Sequence, residues 1–196
     1  MFKSFRQSCL LLAIFLLVIA CSPKLNWRLV QAPEQRYAAL FPGKPDKLER
    51  KVSIGDQQFV QTLEAVKLDD DIYSISSIEI PAKDVKADLV QKITAQLQSN
   101  LLDRAKASGG SVVDEAAYFQ NSQRQRLQTN DYYIFFGGDV KAKQIMRVRC
   151  ITRVNADRGA WIYQVSVLHT NGDSNDAKTL LSKEEYTNFF NEFYPE

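Results

Sequence analysis

Apolar and polar residues alternate in short blocks along most of the chain, and in two stretches the apolar positions recur every third or fourth residue instead. Residues 27–30 and 36–41 read as two strands separated by Pro33-Glu34-Gln35. Pro42 and Pro45 stop the second, because proline fixes φ and has no N–H to give a ladder. Residues 58–68 and 72–80 read as a hairpin turning at Asp69-Asp70-Asp71. Residues 83–107 are the long helix. There Val85, Leu89, Ile93, Leu97 and Leu101 recur every fourth residue, Val90 and Ala105 widen the stripe, Asp84 is the expected N-cap, and Gly109-Gly110 is the expected stop.

Further strands are expected near 117–127, 132–136, 141–154 and 160–169, with the turn between the last two at 155–159. In the third of these, Met146, Val148, Cys150 and Val154 share one parity, while Lys141, Lys143, Arg147, Arg149 and Arg153 share the other. Trp161, Tyr163, Val165 and Val167 face one way in the last. Ser182-Lys183-Glu184-Glu185 has the spacing of a capping box. Tyr186, Phe189, Phe190 and Phe193 then predict a closing helix that buries three phenylalanines. The expected fold class is α+β, an antiparallel β-sheet flanked by a long central helix and a C-terminal helix.

The start of the chain follows another logic. Lys3 and Arg6 precede an apolar run from Cys9 to Ala20, twelve residues long and short of the about 20 that a spanning helix needs. That is the layout of a secretory signal. Val18-Ile19-Ala20-Cys21 also resembles the lipobox of bacterial lipoproteins. The resemblance implies cleavage between Ala20 and Cys21, lipid on the Cys21 thiol and acylation of the new amine; the plain alternative is ordinary cleavage leaving a free thiol. Several acyl chains give stable anchoring, at about 0.8 kcal/mol per buried CH₂. Residues 21–26 would be a short tether to a single domain over 27–196. Ser22 after the cysteine, by the same resemblance, favours the periplasmic side of the outer membrane over the inner membrane.

Composition narrows the function classes. The chain of 196 residues has 25 Lys/Arg against 23 Asp/Glu, and loss of Lys3 and Arg6 with the signal leaves the two equal. A neutral protein lacks the excess of cations on which nucleic-acid binding depends. Of three cysteines, Cys9 leaves with the signal and Cys21 carries lipid, so Cys150 has no partner for an intrachain disulfide.

Trp27, Leu40-Phe41-Pro42-Gly43-Lys44-Pro45, the strand pair from Arg149 to Val167 with Ile162-Tyr163-Gln164, and Phe189-Phe190-Asn191-Glu192-Phe193 together resemble PsbP-like proteins, whose bacterial members include periplasmic lipoproteins of the DcrB type. The resemblance implies an antiparallel sheet flanked by helices and carries over no catalytic set.

The residues themselves agree with a protein that is not an enzyme. There is one histidine, His169, and no G-x-S-x-G elbow. A Cys150–His169 dyad is the weakest reading, since Cys150 lies mid-strand on the apolar parity. Asp69-Asp70-Asp71 lacks the glycine and distal glutamate of a calcium loop and reads as a solvated turn. No metal or cofactor is expected. Charge is uneven: Lys and Arg outnumber Asp between Arg124 and Arg158, and carboxylates prevail from Asp173 to Glu196. The expected function is a non-enzymatic binding or assembly module held on the bilayer through Cys21. The basic parity of Lys141, Lys143, Arg147, Arg149 and Arg153 would meet lipid headgroups or an envelope protein, or else be a solvated sheet face. The alternative is a small-molecule or lipid carrier with a pocket between sheet and helix, lined by residues such as Leu97 and Phe190.

Overall fold

Strand β1 (Arg28–Ala32) is short because Pro33 follows, and it returns through a tight turn as β2 (Tyr37–Phe41), with Arg36 at φ 57° absorbing the reversal. The computed structural model describes residues 25–137, 143–155, 157–171 and 176–196. The expectations at Ala20, Cys21 and Lys141 lie outside these residues. After β2 come β3 (Asp46–Ile54), β4 (Gln57–Leu68), β5 (Asp71–Ile80), α1 (Ala87–Ala107), β6 (Ser111–Gln120), β7 (Arg126–Phe136), β8 (Gln144–Asn155), β9 (Gly159–His169), α2 (Ala177–Leu181), α3 (Glu184–Asn191) and β10 (Phe193–Pro195).

Every strand pairing is antiparallel. A seven-stranded sheet runs β3-β4-β5-β9-β8-β7-β6, and a three-stranded sheet runs β1-β2-β10. The fold is α+β, as the pattern predicts. One face of the large sheet carries α1. The other carries the small sheet, α2 and α3 over the main core, where Tyr73, Tyr163, Phe41, Phe189, Phe190 and Phe193 are almost wholly buried. The three phenylalanines of the closing segment are inside, as expected, but Phe193 belongs to β10 because the helix ends at Asn191; Phe189 meets both Phe41 and Tyr73 edge-on at 5.3 and 5.4 Å.

Several boundaries differ from expectation, each for a local reason. Strand β3 carries no signal in the sequence, because Asp-Lys-Leu-Glu-Arg-Lys at a sheet edge leaves nearly every side chain in water and no alternation to read. The expected strand 117–127 is instead broken at 121–125, the bend between β6 and β7, where Asn121 accepts from the Gln125 N–H at 2.8 Å and Arg124 takes φ 61°. Asp84 does not cap α1; it sits in a 3₁₀ turn, Ala82–Asp84, and Lys86 occupies the N-cap position without a side-chain hydrogen bond. The capping box does not form either. Ser182 terminates α2 by donating its N–H to Lys178, while Asp176 caps α2 by accepting from the Thr179 N–H at 3.0 Å. Gly109-Gly110 does stop α1, and Gly110 lies too close to the Phe135 carbonyl to admit a Cβ.

The main correction concerns β8. Its basic parity faces inward, because β8 is a central strand covered on both sides. Arg147 and Arg149 are 5% and 2% exposed, so they form no docking face. Both grip Asp131 of the neighbouring strand: Arg147 through Nε at 3.0 Å and Nη2 at 2.6 Å, Arg149 through Nε at 2.6 Å and Nη2 at 2.9 Å. Their remaining N–H groups donate to carbonyls at the ends of the two C-terminal helices, Arg147 to Leu181 and Arg149 to Phe190, each at 3.0 Å. Arg149 also donates to Tyr118, at 3.1 Å. Arg153 is half-buried, and Lys143 is exposed.

Breaking a buried ion pair from one side leaves an uncompensated charge and costs about 3–5 kcal/mol. Asp131→Asn should therefore lower the stability of the chain by that order, read as a fall in the urea midpoint. Replacing Asp131, Arg147 and Arg149 together by apolar residues of similar volume should recover much of the loss.

Candidate binding groove

The face of the large sheet beneath α1 changes character along its length. In β5, Ile78 and Ile80 share their side with Ser76 and Ser74; in β9, Ala160 and Ile162 share theirs with Gln164 and Ser166. The apolar ends of these rows hold the first half of α1, where Val90 and Ile93 cluster with Ile54, Phe59, Ile78, Ile80 and Ile162. The last turns of α1 are held separately, by Ala105 against Ile134 and Val148. Leu97 and Leu101, between these two anchors, are only half-buried.

A groove of about 630 Å³ opens there, with α1 as its wall and β3, β4, β5, β9 and β8 as its floor. Its floor is neutral and polar. Arg50 donates through Nε to Gln61 at 2.8 Å, and Gln61 passes the chain on to Ser76 at 2.6 Å. Ser74 and Ser166 share a hydrogen bond of 2.8 Å. Gln164 donates only towards the Cys150 sulfur, 3.9 Å away, a weak acceptor. Gln61 and Ser166 are each 6% exposed, so these bonds offset a desolvation that would otherwise cost about 1–3 kcal/mol per group. Leu63, Leu97, Leu101 and Met146 supply apolar wall, and Arg50 and Arg104 stand at the rim.

No family model matches the chain, and no curated protein does. Among solved structures it is similar to the solution structure of cyanobacterial PsbP (CyanoP) from Synechocystis sp. PCC 6803. The identity is 17% over 90% of this chain and 96% of that one, with a TM-score of 0.46.

The groove changes the readings that concerned an interior pocket. Leu97 lines it, but Phe190 lies on the opposite side of the sheet in the main core, so the two cannot border one cavity. The Cys150–His169 pairing is likewise separated. Cys150 faces α1 with Val148, whereas His169 is opposite Ile145 in register and turns towards α3. The His169 ring meets Asp71 at 2.7 Å, and Tyr186 donates to the other Asp71 oxygen at 3.0 Å. Asp71 thus begins β5 as a tie to β9 and α3. Asp70 holds Thr170 through its carbonyl at 2.8 Å. The triple aspartate is a two-residue turn with structural neighbours, and no group of three or more metal-ligating side chains occurs among the described residues.

The sequence signal for the groove was the run Ser74-Ile75-Ser76, small hydroxyls on the face that continues into Ile78. It could not be assigned a side without knowing that α1 covers only part of that face. Burial raises the Cys150 thiol from its ordinary 9.0 to about 11. An unfolded thiol ionises near pH 9 while the folded one stays protonated. The contribution is therefore complete below about pH 9 and is lost as the pH rises towards about 11. Urea midpoints of the wild type should fall across that window, and Cys150→Ala should fall less. Iodoacetamide at pH 8 should modify Cys150 slowly in the native chain and rapidly in urea.

Proposed function

We propose that this chain is a non-enzymatic binding or assembly module, anchored by lipid on Cys21 to the periplasmic side of the outer membrane. Its working site is the groove between α1 and the large sheet. The observation that carries the reading is the groove itself: a face of the sheet that keeps a hydrogen-bonded floor of serines and glutamines where a filled core would need only apolar side chains. Its volume of about 630 Å³ falls within the roughly 300–1,000 Å³ usual for ligand sites.

The lipobox resemblance supports the anchoring, and the brevity of the link to the domain sets how far from the bilayer the groove would then lie. Trp27 already packs edge-on against Tyr73 at 6.4 Å, and the Asn26 N–H already donates to Pro42 at 3.1 Å. Few residues therefore separate Cys21 from the domain, and an extended chain spans at most about 3.6 Å per residue. The groove would work close to the bilayer, within reach of molecules leaving it or of other envelope proteins.

Cys21→Ala should abolish lipid incorporation and release the domain from the membrane fraction, seen as loss of the acyl mass and a shift of the protein on fractionation. Retention of acyl mass in that variant would overturn the anchoring. Native mass spectrometry of the wild-type chain from its own envelope should show a retained small molecule. Leu97→Trp, which fills the groove from its half-buried wall, should lose that mass without a change in urea midpoint. An unliganded wild-type chain would count against the groove as the site.

A further inference from the structure

The groove has a charge pattern that its polar floor does not require. Arg50 reaches it from the edge strand β3, and Arg104 from the last turn of α1. No Asp or Glu lines it, and among the described residues neither arginine is in an ion pair. Among the described residues only the Nε of Arg50 has a partner, Gln61, which leaves the two Nη groups of its fork unassigned. Elsewhere the buried arginines of this fold are met by a carboxylate and by carbonyls. At the groove, two exposed guanidiniums stand at the rim without a carboxylate among the lining residues.

Resting on the groove as the binding site, we infer that its ligand is a single-chain carboxylate, an anionic head with an apolar tail. The head lies between Arg50 and Arg104, where a planar guanidinium presents paired N–H donors to a carboxylate. The tail runs along Leu63, Leu97, Leu101 and Met146, which turn apolar surface to the groove and are buried further when it is covered. A singly charged head fits better than a phosphate. Arg104 sits at the C-terminal end of α1, where the helix carbonyls contribute negative potential and temper the pull on a doubly charged group. The amide of Gln164, held only by sulfur, is a further donor on the floor.

The chain has two methionines, Met1 and Met146, so methyl labelling puts one reporter inside the domain and in the groove itself. Full-length protein in phosphatidylcholine nanodiscs would be titrated with octanoate, octyl phosphate and octyltrimethylammonium, and empty nanodiscs subtracted. Octanoate should move the Met146 methyl signal saturably, and octyltrimethylammonium should not. Arg104→Gln, at an exposed position and expected to keep the wild-type urea midpoint, and Arg50→Gln, expected to lower it through the lost bond to Gln61, should each weaken octanoate at least tenfold in chains confirmed to be folded. Equal response to the ammonium, or full affinity in both variants, would overturn the carboxylate while leaving the groove as a site for apolar chains. Tighter binding of octyl phosphate would overturn the singly charged head. No shift with any of the three, together with an unliganded protein from the envelope, would remove the site as well as its ligand.

Discussion

Asp131 is one carboxylate shared by two buried guanidiniums, and the position of the C-terminal quarter of the chain depends on how that imbalance is resolved. A lone excess cation inside a core would cost several kcal/mol. Here the excess is spread over carbonyls at the ends of α2 and α3, where helix dipoles supply negative potential, and over the face of Phe190, 4.1 Å from the Arg147 guanidinium. The helices are thus bound by the charge they neutralise. Their phenylalanines then close the core between the two sheets, so electrostatics fixes the register and apolar burial supplies most of the stabilisation.

The same arrangement explains which parts of the fold were legible in the sequence. The long helix, the hairpin at the aspartates, the inward row Trp161-Tyr163-Val165-Val167 and the closing phenylalanines are all carried by apolar periodicity, and all are present. What periodicity could not carry was misread. An edge strand of charged residues shows no alternation. A bend held by Asn121 and Gln125 has neither glycine nor proline to mark it. Arginines on one parity of a strand look like a wet face unless Asp131, some sixteen residues away in sequence, is known to be the neighbour in register. Charge alone does not distinguish a solvated row from a buried one; partners do, and partners are a property of topology.

The groove illustrates the complementary case. Its floor residues are short and neutral, and a sequence pattern treats serine and glutamine as surface filler. They become informative only when they occupy a protected face beside isoleucines of the same parity. The helix above them is anchored at two places, near Ile93 and at Ala105, and its middle is left without a tight seat. A continuous apolar face would have sealed that middle onto the sheet. The polar insertion in β5 and β9 keeps it open.

The small sheet joins the beginning of the domain to its end, since β2 lies between β1 and β10. In a chain made from residue 1 onward, β2 waits for its second neighbour until the final few residues exist, and Arg147 and Arg149 wait for the carbonyls of Leu181 and Phe190. The aromatic core between the sheets therefore cannot close on a partial chain. Such closure across the whole length slows folding. It also keeps an incomplete polypeptide open until the last strand locks the domain.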